Sequence, residues 1–204
     1  MYIAVAGNIG AGKTTLTKLL AKHCNWVPEF DNINTNPYLS SFYGDMQRWS
    51  FNLQIYFLNV RCRKILEIKR KRKTVIHDRS IYEDAQIFAP NLLSMGLMAN
   101  RDYSNYISLF ELMENFIQVP DLLIYIKAST VTLKSQIIKR GRVLERNIRS
   151  EYLQNLNERY DEWISNYKKG KVLIINADNL NFAESQEDFQ TVLSMVNETL
   201  DKKK

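Results

Sequence analysis

The chain has 204 residues, enough for one domain with a sizeable core, and its 45% hydrophobic and 25% charged residues exclude a disordered or fibrous protein. A formal net charge of +6 is a modest excess that suits polyphosphate ligands as well as nucleic acid. No apolar run reaches the length a helix needs to cross a bilayer, and no membrane partner is expected. In chain order, Tyr2-Ile3-Ala4-Val5-Ala6 is a buried-strand run, and Leu16 to Lys22 carries helical apolar spacing, so a strand at 2–6 precedes a helix at 13–23. Strands are then expected near 25–28, 74–78, 121–127 and 171–176. Helices are expected near 46–71, 81–92, 100–116, 130–139, 150–168 and 183–201, with 90–102, holding Pro90, Gly96 and Asn100, as a helix connection. This alternation predicts a single α/β domain over 1–204. It would be built on a five-stranded parallel sheet with helices on both faces, in three layers. In such sheets ligands bind beyond the carboxyl ends of the strands, so the residues that end or follow each strand carry the functional information.

After the first strand comes Gly7-Asn8-Ile9-Gly10-Ala11-Gly12-Lys13-Thr14-Thr15, which holds the full G-x-x-x-x-G-K-[ST] pattern. Its glycines let the backbone wrap closely around phosphate oxygens, and successive N–H groups form an anion-binding nest. The following helix aims its positive end at the same place. Lys13 is expected to reach the β- and γ-phosphates of ATP, and the Thr14 hydroxyl to ligate Mg²⁺. After the second strand Glu29 offers a carboxylate that could orient an attacking hydroxyl and take its proton late. Asp78-Arg79-Ser80 ends the third strand. There an acid can hold Mg²⁺ and an arginine can stabilise charge on a transferring phosphoryl group. Lys139-Arg140-Gly141-Arg142-Val143-Leu144-Glu145-Arg146 suits a mobile lid, about 140–149, whose Arg140 and Arg142 clamp phosphate oxygens. The run Lys69-Arg70-Lys71-Arg72-Lys73 reads as a solvated helix end, and no nucleic-acid partner is expected. Cys24 and Cys62 follow no metal or redox spacing and read as buried thiols of a reducing cytoplasm. With a strand and phosphate loop entered at once, no signal peptide is expected.

Taken together, the phosphate loop, Pro28-Glu29, Tyr43 ahead of Arg48-Trp49-Ser50-Phe51-Asn52-Leu53-Gln54, Asp78-Arg79-Ser80 and Arg140-Gly141-Arg142-x-x-Glu145 resemble the deoxynucleoside kinase family over nearly the whole chain. The stretches from Asp31-Asn32 to Asn36-Pro37-Tyr38-Leu39 and from Asp78 to Asp84 look most like bacterial deoxyadenosine/deoxyguanosine kinases. The resemblance implies that Glu29 is the general base on the deoxyribose 5′-hydroxyl, steadied by Arg79. Tyr43 and Glu145 would hold the 3′-hydroxyl. It implies that Gln54, Arg61 and Asp84 read the base edge, with Phe88 as the stacking ring and Trp49 and Phe51 either around the base or in helix core. Asp84 can accept from an exocyclic amino group, which favours adenine, guanine or cytosine over thymine, and the bacterial look favours deoxyadenosine first. A homodimer and a role in nucleotide salvage follow from the resemblance as well. Two positions depart from the family pattern: Asp78 where Glu is usual, and Gln136 where many members carry a further lid arginine, for which Arg146 is a substitute.

The nearest alternative is a thymidylate-type nucleoside monophosphate kinase, which shares the sheet, the loop and the Asp-Arg pair. It needs cations near the second strand to hold an acceptor phosphate, where this chain has Glu29 and Asp31. A GTPase switch would need an Asn-Lys-x-Asp guanine reader, and Asn176-Ala177-Asp178 lacks that lysine and spacing. A nucleic-acid module resting on the basic run would leave Glu29 and Asp78-Arg79 without a role.

Overall fold

The structure, a computed structural model, describes residues 1–31, 36–142, 145 and 148–201. In chain order it holds β1 (Tyr2–Gly7), α1 (Lys13–Cys24), β2 (Val27–Glu29), α2 (Leu39–Gly44), α3 (Met46–Lys69), β3 (Val75–Asp78) and α4 (Ile81–Glu83). A π-helical turn (Asp84–Phe88) then leads into α5 (Ala89–Ser94), α6 (Asn100–Glu114), β4 (Leu122–Lys127), α7 (Thr130–Arg140), α8 (Ser150–Ser165), β5 (Lys171–Asn176) and α9 (Gln186–Asp201). The chain divides into two compact units, Met1–Phe30 with Arg72–Arg79 and Val119–Lys204, and Asp31–Lys71 with Ser80–Gln118.

The first unit contains the sheet, all five strands parallel in the order β2-β3-β1-β4-β5. Every residue of β1 is buried, as the central strand of a covered parallel sheet requires. Register sets Ile3 beside Ile76 and Leu122, and Val5 beside Ile124, so one face is continuously aliphatic. Leu16 and Leu20 of α1, Leu133 and Ile137 of α7, and Phe189, Val192 and Val196 of α9 pack into that cluster. On the opposite face Tyr125 stacks on Tyr160 of α8, with centroids 5.5 Å apart and planes 13° apart. The sheet therefore carries helices on both faces, as the alternation predicts. The chain leaves β1 toward β2 on one side, while β3 hands over to β4 on the other. The strand order thus reverses beside β1, and the phosphate loop sits at that switch point.

The second unit is helical. The buried face of α3 runs Ser50, Leu53, Gln54, Leu58, Arg61, Cys62, Ile65, Ile68, a helical period that carries two large polar side chains inward. Phe42, Leu53, Leu92 and Met98 form a cluster on which Tyr38, Trp49 and Phe57 pack. The Asp45 side chain caps α3 by accepting from Arg48 N at 3.0 Å.

Several boundaries differ from the sequence reading. The helix expected at 81–92 is three pieces, because a backbone bond from Ala89 N to Asp84 O inserts a π-turn after α4. Helix α5 runs to Ser94, so the connection expected over 90–102 narrows to Met95–Ala99. The short helix α2 was not expected, since six residues are too few to show a period. Helix α9 starts at Gln186 rather than 183, because the Ser185 hydroxyl accepts from Asp188 N at 3.1 Å and caps it. Cys62 is buried as expected, whereas Cys24 is only half-buried. Burial pushes both thiols up from their ordinary range. The basic run 69–73 is exposed throughout. Among the described residues no helix is long and apolar enough to cross a membrane.

Candidate active site

The phosphate loop is held from three directions within the first unit. Gly10 has φ +88, and a Cβ there would lie 2.7 Å from Leu133 O and 2.9 Å from Ile137 Cγ1. The glycine at this position therefore permits close approach to α7, a packing reason that the loop pattern alone does not reveal. Asn8 Nδ2 donates to Leu153 O at 2.9 Å and to Asn157 Oδ1 at 2.7 Å, while Asn8 Oδ1 accepts from Ile9 N at 2.7 Å. The Tyr160 hydroxyl donates to Gly7 O at 2.9 Å. Asn157 and Tyr160, both on α8, thus support the loop. Sequence reading missed both because they lie about 150 positions away with no local signal. Ala11 N donates to Asn8 O at 3.1 Å, which closes a turn inside the loop.

The chemistry-bearing residues of the loop fit a polyphosphate. Helix α1 begins at Lys13, just after Gly12, which caps it in a left-handed conformation with no side-chain hydrogen bond, so the positive end of the helix dipole is presented at the loop. Lys13 is buried, with its ammonium donating to Gly7 O at 2.7 Å and Asn8 O at 2.9 Å. The Thr14 hydroxyl donates to Asp78 Oδ2 at 2.5 Å, the length of a charge-assisted bond. A hydroxyl and a carboxylate thus meet at the loop, a pair of hard oxygen donors that suits Mg²⁺. Among the described residues no group of three or more His, Cys, Asp or Glu could hold a metal alone. Thr15 is exposed and Ile9 half-buried.

The strand ends carry the remaining candidates of this unit. Glu29 is the last residue of β2, paired in register with His77, so it is part of the ladder rather than of the loop after it. Asp78, the last residue of β3, is buried beside Val5. Arg79 follows with φ +82, a conformation that side chains other than glycine rarely adopt, and Arg79 N donates to Val5 O at 2.9 Å. Such strain concentrates where a side chain must be aimed. In the lid, Gly141 ends α7 in a left-handed turn with φ +70. Arg140 and Arg142 both pair with the buried carboxylate of Glu145, the latter at 3.2 Å. The structure therefore brings the three named lid residues together as one ion-pair cluster. Arg146, Val143, Leu144 and Asn32 lie outside the described residues.

The base-reading candidates gather in the second unit. Arg61 is 2% exposed and its guanidinium is shared by two carboxylates. Nη1 donates to Asp84 Oδ2, Nη2 to Asp31 Oδ2, and Nε to Asp31 Oδ1 at 3.3 Å. Burial lowers the Arg61 pKa, but the charges and hydrogen bonds of Asp31 and Asp84 outweigh burial and hold it above its ordinary value. Its guanidinium also lies 4.4 Å from the Phe57 ring centroid. Gln54 lies two turns earlier on α3, 3% exposed, and its Oε1 has no hydrogen-bond partner among the described residues. The Tyr106 hydroxyl of α6 is likewise buried without a partner among the described residues, and burial together with Asp84 raises its pKa well above the ordinary value. Phe88 is buried on the π-turn that also carries Asp84. Tyr43 sits on α2, edge-on to Phe42 at 5.5 Å. Trp49 packs on the Phe42–Leu53 cluster and against Tyr38 at 5.9 Å, the core alternative of the two readings given above; Phe51 is half-buried. Asp31 was read from sequence only as an acid near the second strand. Its partnership with Arg61, 30 positions away, is a structural finding.

The sheet order and loop define a phosphate-loop nucleotide-binding protein of the α/β class. A family model described as deoxynucleoside kinase matches residues 3–201, and the chain belongs to the deoxynucleoside kinase family. It is 36% identical over 196 residues to a deoxyadenosine/deoxycytidine kinase of Bacillus subtilis (strain 168), covering 95% of this chain and 90% of that one. It is 36% identical over 207 residues to a deoxyadenosine kinase of Lactobacillus acidophilus, covering 97% and 95%. The solved structure of a deoxyadenosine kinase from M. mycoides with bound dATP matches with a TM-score of 0.85 at 29% identity, over 97% of this chain and all of that one. The chain is therefore an enzyme of the deoxynucleoside kinase type. The family membership displaces the switch reading and the thymidylate branch.

Proposed function

We propose that this enzyme transfers the γ-phosphoryl group of ATP, with Mg²⁺, to the 5′-hydroxyl of a purine deoxynucleoside, deoxyadenosine first, in cytoplasmic nucleotide salvage. The observation that carries the base preference is the buried Arg61–Asp84 pair on the same buried face of α3 as Gln54, whose Oε1 has no hydrogen-bond partner among the described residues. An acceptor-rich buried edge favours a base with an exocyclic amino group, because a carbonyl there would leave acceptors facing each other. The M. mycoides relative with bound dATP and the two kinases named for deoxyadenosine support the same choice.

In this reading Glu29 orients the 5′-hydroxyl and takes its proton as the oxygen bonds to phosphorus, and Arg79 steadies the charge that develops. Loop residues 7–15 hold the donor phosphates, with Lys13 supplying positive charge. Thr14 and Asp78 would hold Mg²⁺. Bound there, Mg²⁺ supplies charge neutralisation on the phosphoryl oxygens. Arg140 and Arg142 exchange Glu145 for phosphate oxygens, which frees Glu145 to join Tyr43 on the 3′-hydroxyl. That exchange couples nucleoside binding to the lid. Gln54, Arg61 and Asp84 read the base, and Phe88 stacks on it. The enzyme works as a homodimer.

The test is transfer from ATP-Mg²⁺ to deoxyadenosine, deoxyguanosine, deoxycytidine and thymidine, with thymidine monophosphate alongside. Deoxyadenosine is expected to show the highest kcat/KM. Preference for thymidine would overturn the base reading, and transfer to the monophosphate alone would overturn the role of Glu29.

A further inference from the structure

We infer that Asn157 is a positioning residue for the donor phosphates: from α8 it bonds both to Asn8 of the phosphate loop and to the end of β4, and so keeps the loop and the root of the lid in one frame. This deepens the donor side of the proposed function and rests on it.

Asn8 is 2% exposed, so each polar atom of its amide needs a partner. Nδ2 donates to Leu153 O at 2.9 Å and to Asn157 Oδ1 at 2.7 Å, and Oδ1 accepts from Ile9 N at 2.7 Å. Asn157 Nδ2 in turn donates to Ala128 O at 2.9 Å, just past the end of β4. The sense of both amides is thereby fixed, because turning either one over would set N–H against N–H and oxygen against carbonyl oxygen. Asn8 also supplies the backbone oxygen that accepts from Lys13 Nζ at 2.9 Å. An Asn8 that turns or shifts therefore carries the seat of Lys13 with it. Helix α7 ends at Arg140 and α8 opens at Ser150, so these two helices are the stems of the lid. Helix α7 grips the loop at Gly10, where Leu133 O and Ile137 leave no room for a Cβ. Helix α8 grips it at Asn8, through Leu153 O and Asn157, and Asn157 also reaches the sheet. Removing the Asn157 amide leaves an Asn8 N–H buried without its acceptor, a penalty that the loop relieves by shifting. Asn157 borders a polar cavity of about 280 Å³ shared with Gln154, Glu158 and Asp161. Its truncation opens into that cavity instead of leaving a sealed apolar void, so the fold should survive it.

The experiment titrates ATP-Mg²⁺ and inorganic tripolyphosphate-Mg²⁺ calorimetrically into the wild type, Asn157→Ala, Asn157→Leu, Asn8→Ala and the Asn8→Ala, Asn157→Ala double variant. Steady-state KM values for ATP and deoxyadenosine are measured on the same proteins. Asn157→Ala should raise the Kd of ATP and of tripolyphosphate by about tenfold each, the scale of one lost buried hydrogen bond. Its KM for deoxyadenosine should stay within about twofold of wild type. Asn157→Leu removes the same bonds at similar volume and should match it. Against Asn8→Ala the second change should cost no more than about twofold, because its partner is already gone. Unchanged affinity for ATP and tripolyphosphate, an equal rise in both KM values, or the whole loss persisting against Asn8→Ala would overturn the inference. Should Asn157→Ala fail to fold, Asn157→Leu decides by the same readings, and failure of both to fold would mark Asn157 as merely structural and overturn it as well. A wild type that phosphorylates no deoxynucleoside would refute the proposed function itself, while the two titrations would still decide the role of Asn157.

Discussion

Replacing Gly10 by alanine tests how the phosphate loop is seated, and Gly141→Ala supplies the control. Both glycines have left-handed φ, +88 and +70. An L-residue in that conformation costs about 1–2 kcal/mol. At Gly141 a new Cβ would have nothing within 4 Å among the described residues, so that conformational cost stands alone. At Gly10 the Cβ would sit 2.7 Å from a backbone carbonyl oxygen of α7 and 2.9 Å from Ile137 Cγ1. The carbonyl cannot move without shifting the helix, and overpacking of this kind adds about 1–3 kcal/mol. Gly10→Ala should therefore be destabilised by about 2–5 kcal/mol and Gly141→Ala by about 1–2. For a chain of this length each kcal/mol is worth about 2–4 °C in Tm. A difference of about 2 kcal/mol between the variants then separates their melting points by roughly 4–8 °C. Urea and thermal unfolding of both proteins, followed by circular dichroism, measure this directly. Equal destabilisation of the two variants would refute the claim that Gly10 is required for contact with α7.

Two further results are expected. Tyr160→Phe keeps the stack on Tyr125 but removes the hydroxyl bond to Gly7 O; because Lys13 also donates to that oxygen, the loss is limited to about 1 kcal/mol, or about 2–4 °C in Tm, with a raised KM for ATP. An unchanged melting point and KM would remove α8 from the support of the loop. Burial raises the Asp178 pKa, but hydrogen bonds from Thr132 and from the backbone and hydroxyl of Ser129 outweigh it and hold the carboxyl below its ordinary range. A depressed carboxyl contributes stability that is complete above its unfolded value near 4 and is lost as pH falls through its lower folded value. Asp178→Asn should therefore show a shallower fall of Tm below about pH 4 than the wild type, and parallel acid limbs would contradict this.

The phosphate loop, the strand ends and the α/β class were legible because each is local. The loop is nine adjacent residues, and the strand and helix around it declare themselves by apolar spacing. Glu29, Asp78 and Arg79 stood out because a parallel sheet presents its strand ends as the binding edge. What escaped was non-local or too short. The Asp31–Arg61 fork joins residues 30 apart, and the Asn8–Asn157 bond joins residues 149 apart; neither leaves a pattern. Helix α2, which carries Tyr43, is shorter than two turns, and the π-turn beneath Asp84 and Phe88 differs from an α-helix by one hydrogen-bond step. The positive φ of Arg79 has no sequence signature in a residue that normally avoids it.

The most direct test of the central claim is single-turnover transfer from ATP-Mg²⁺ to deoxyadenosine by the wild type and by Glu29→Gln, with deoxyadenosine binding measured on the same proteins. The wild type should phosphorylate deoxyadenosine, and Glu29→Gln should bind it with similar affinity while losing roughly 10²–10⁴ in rate, the usual worth of a positioned general base. A Glu29→Gln rate within a few-fold of wild type would contradict the account, because the 5′-hydroxyl proton would then be leaving by another route.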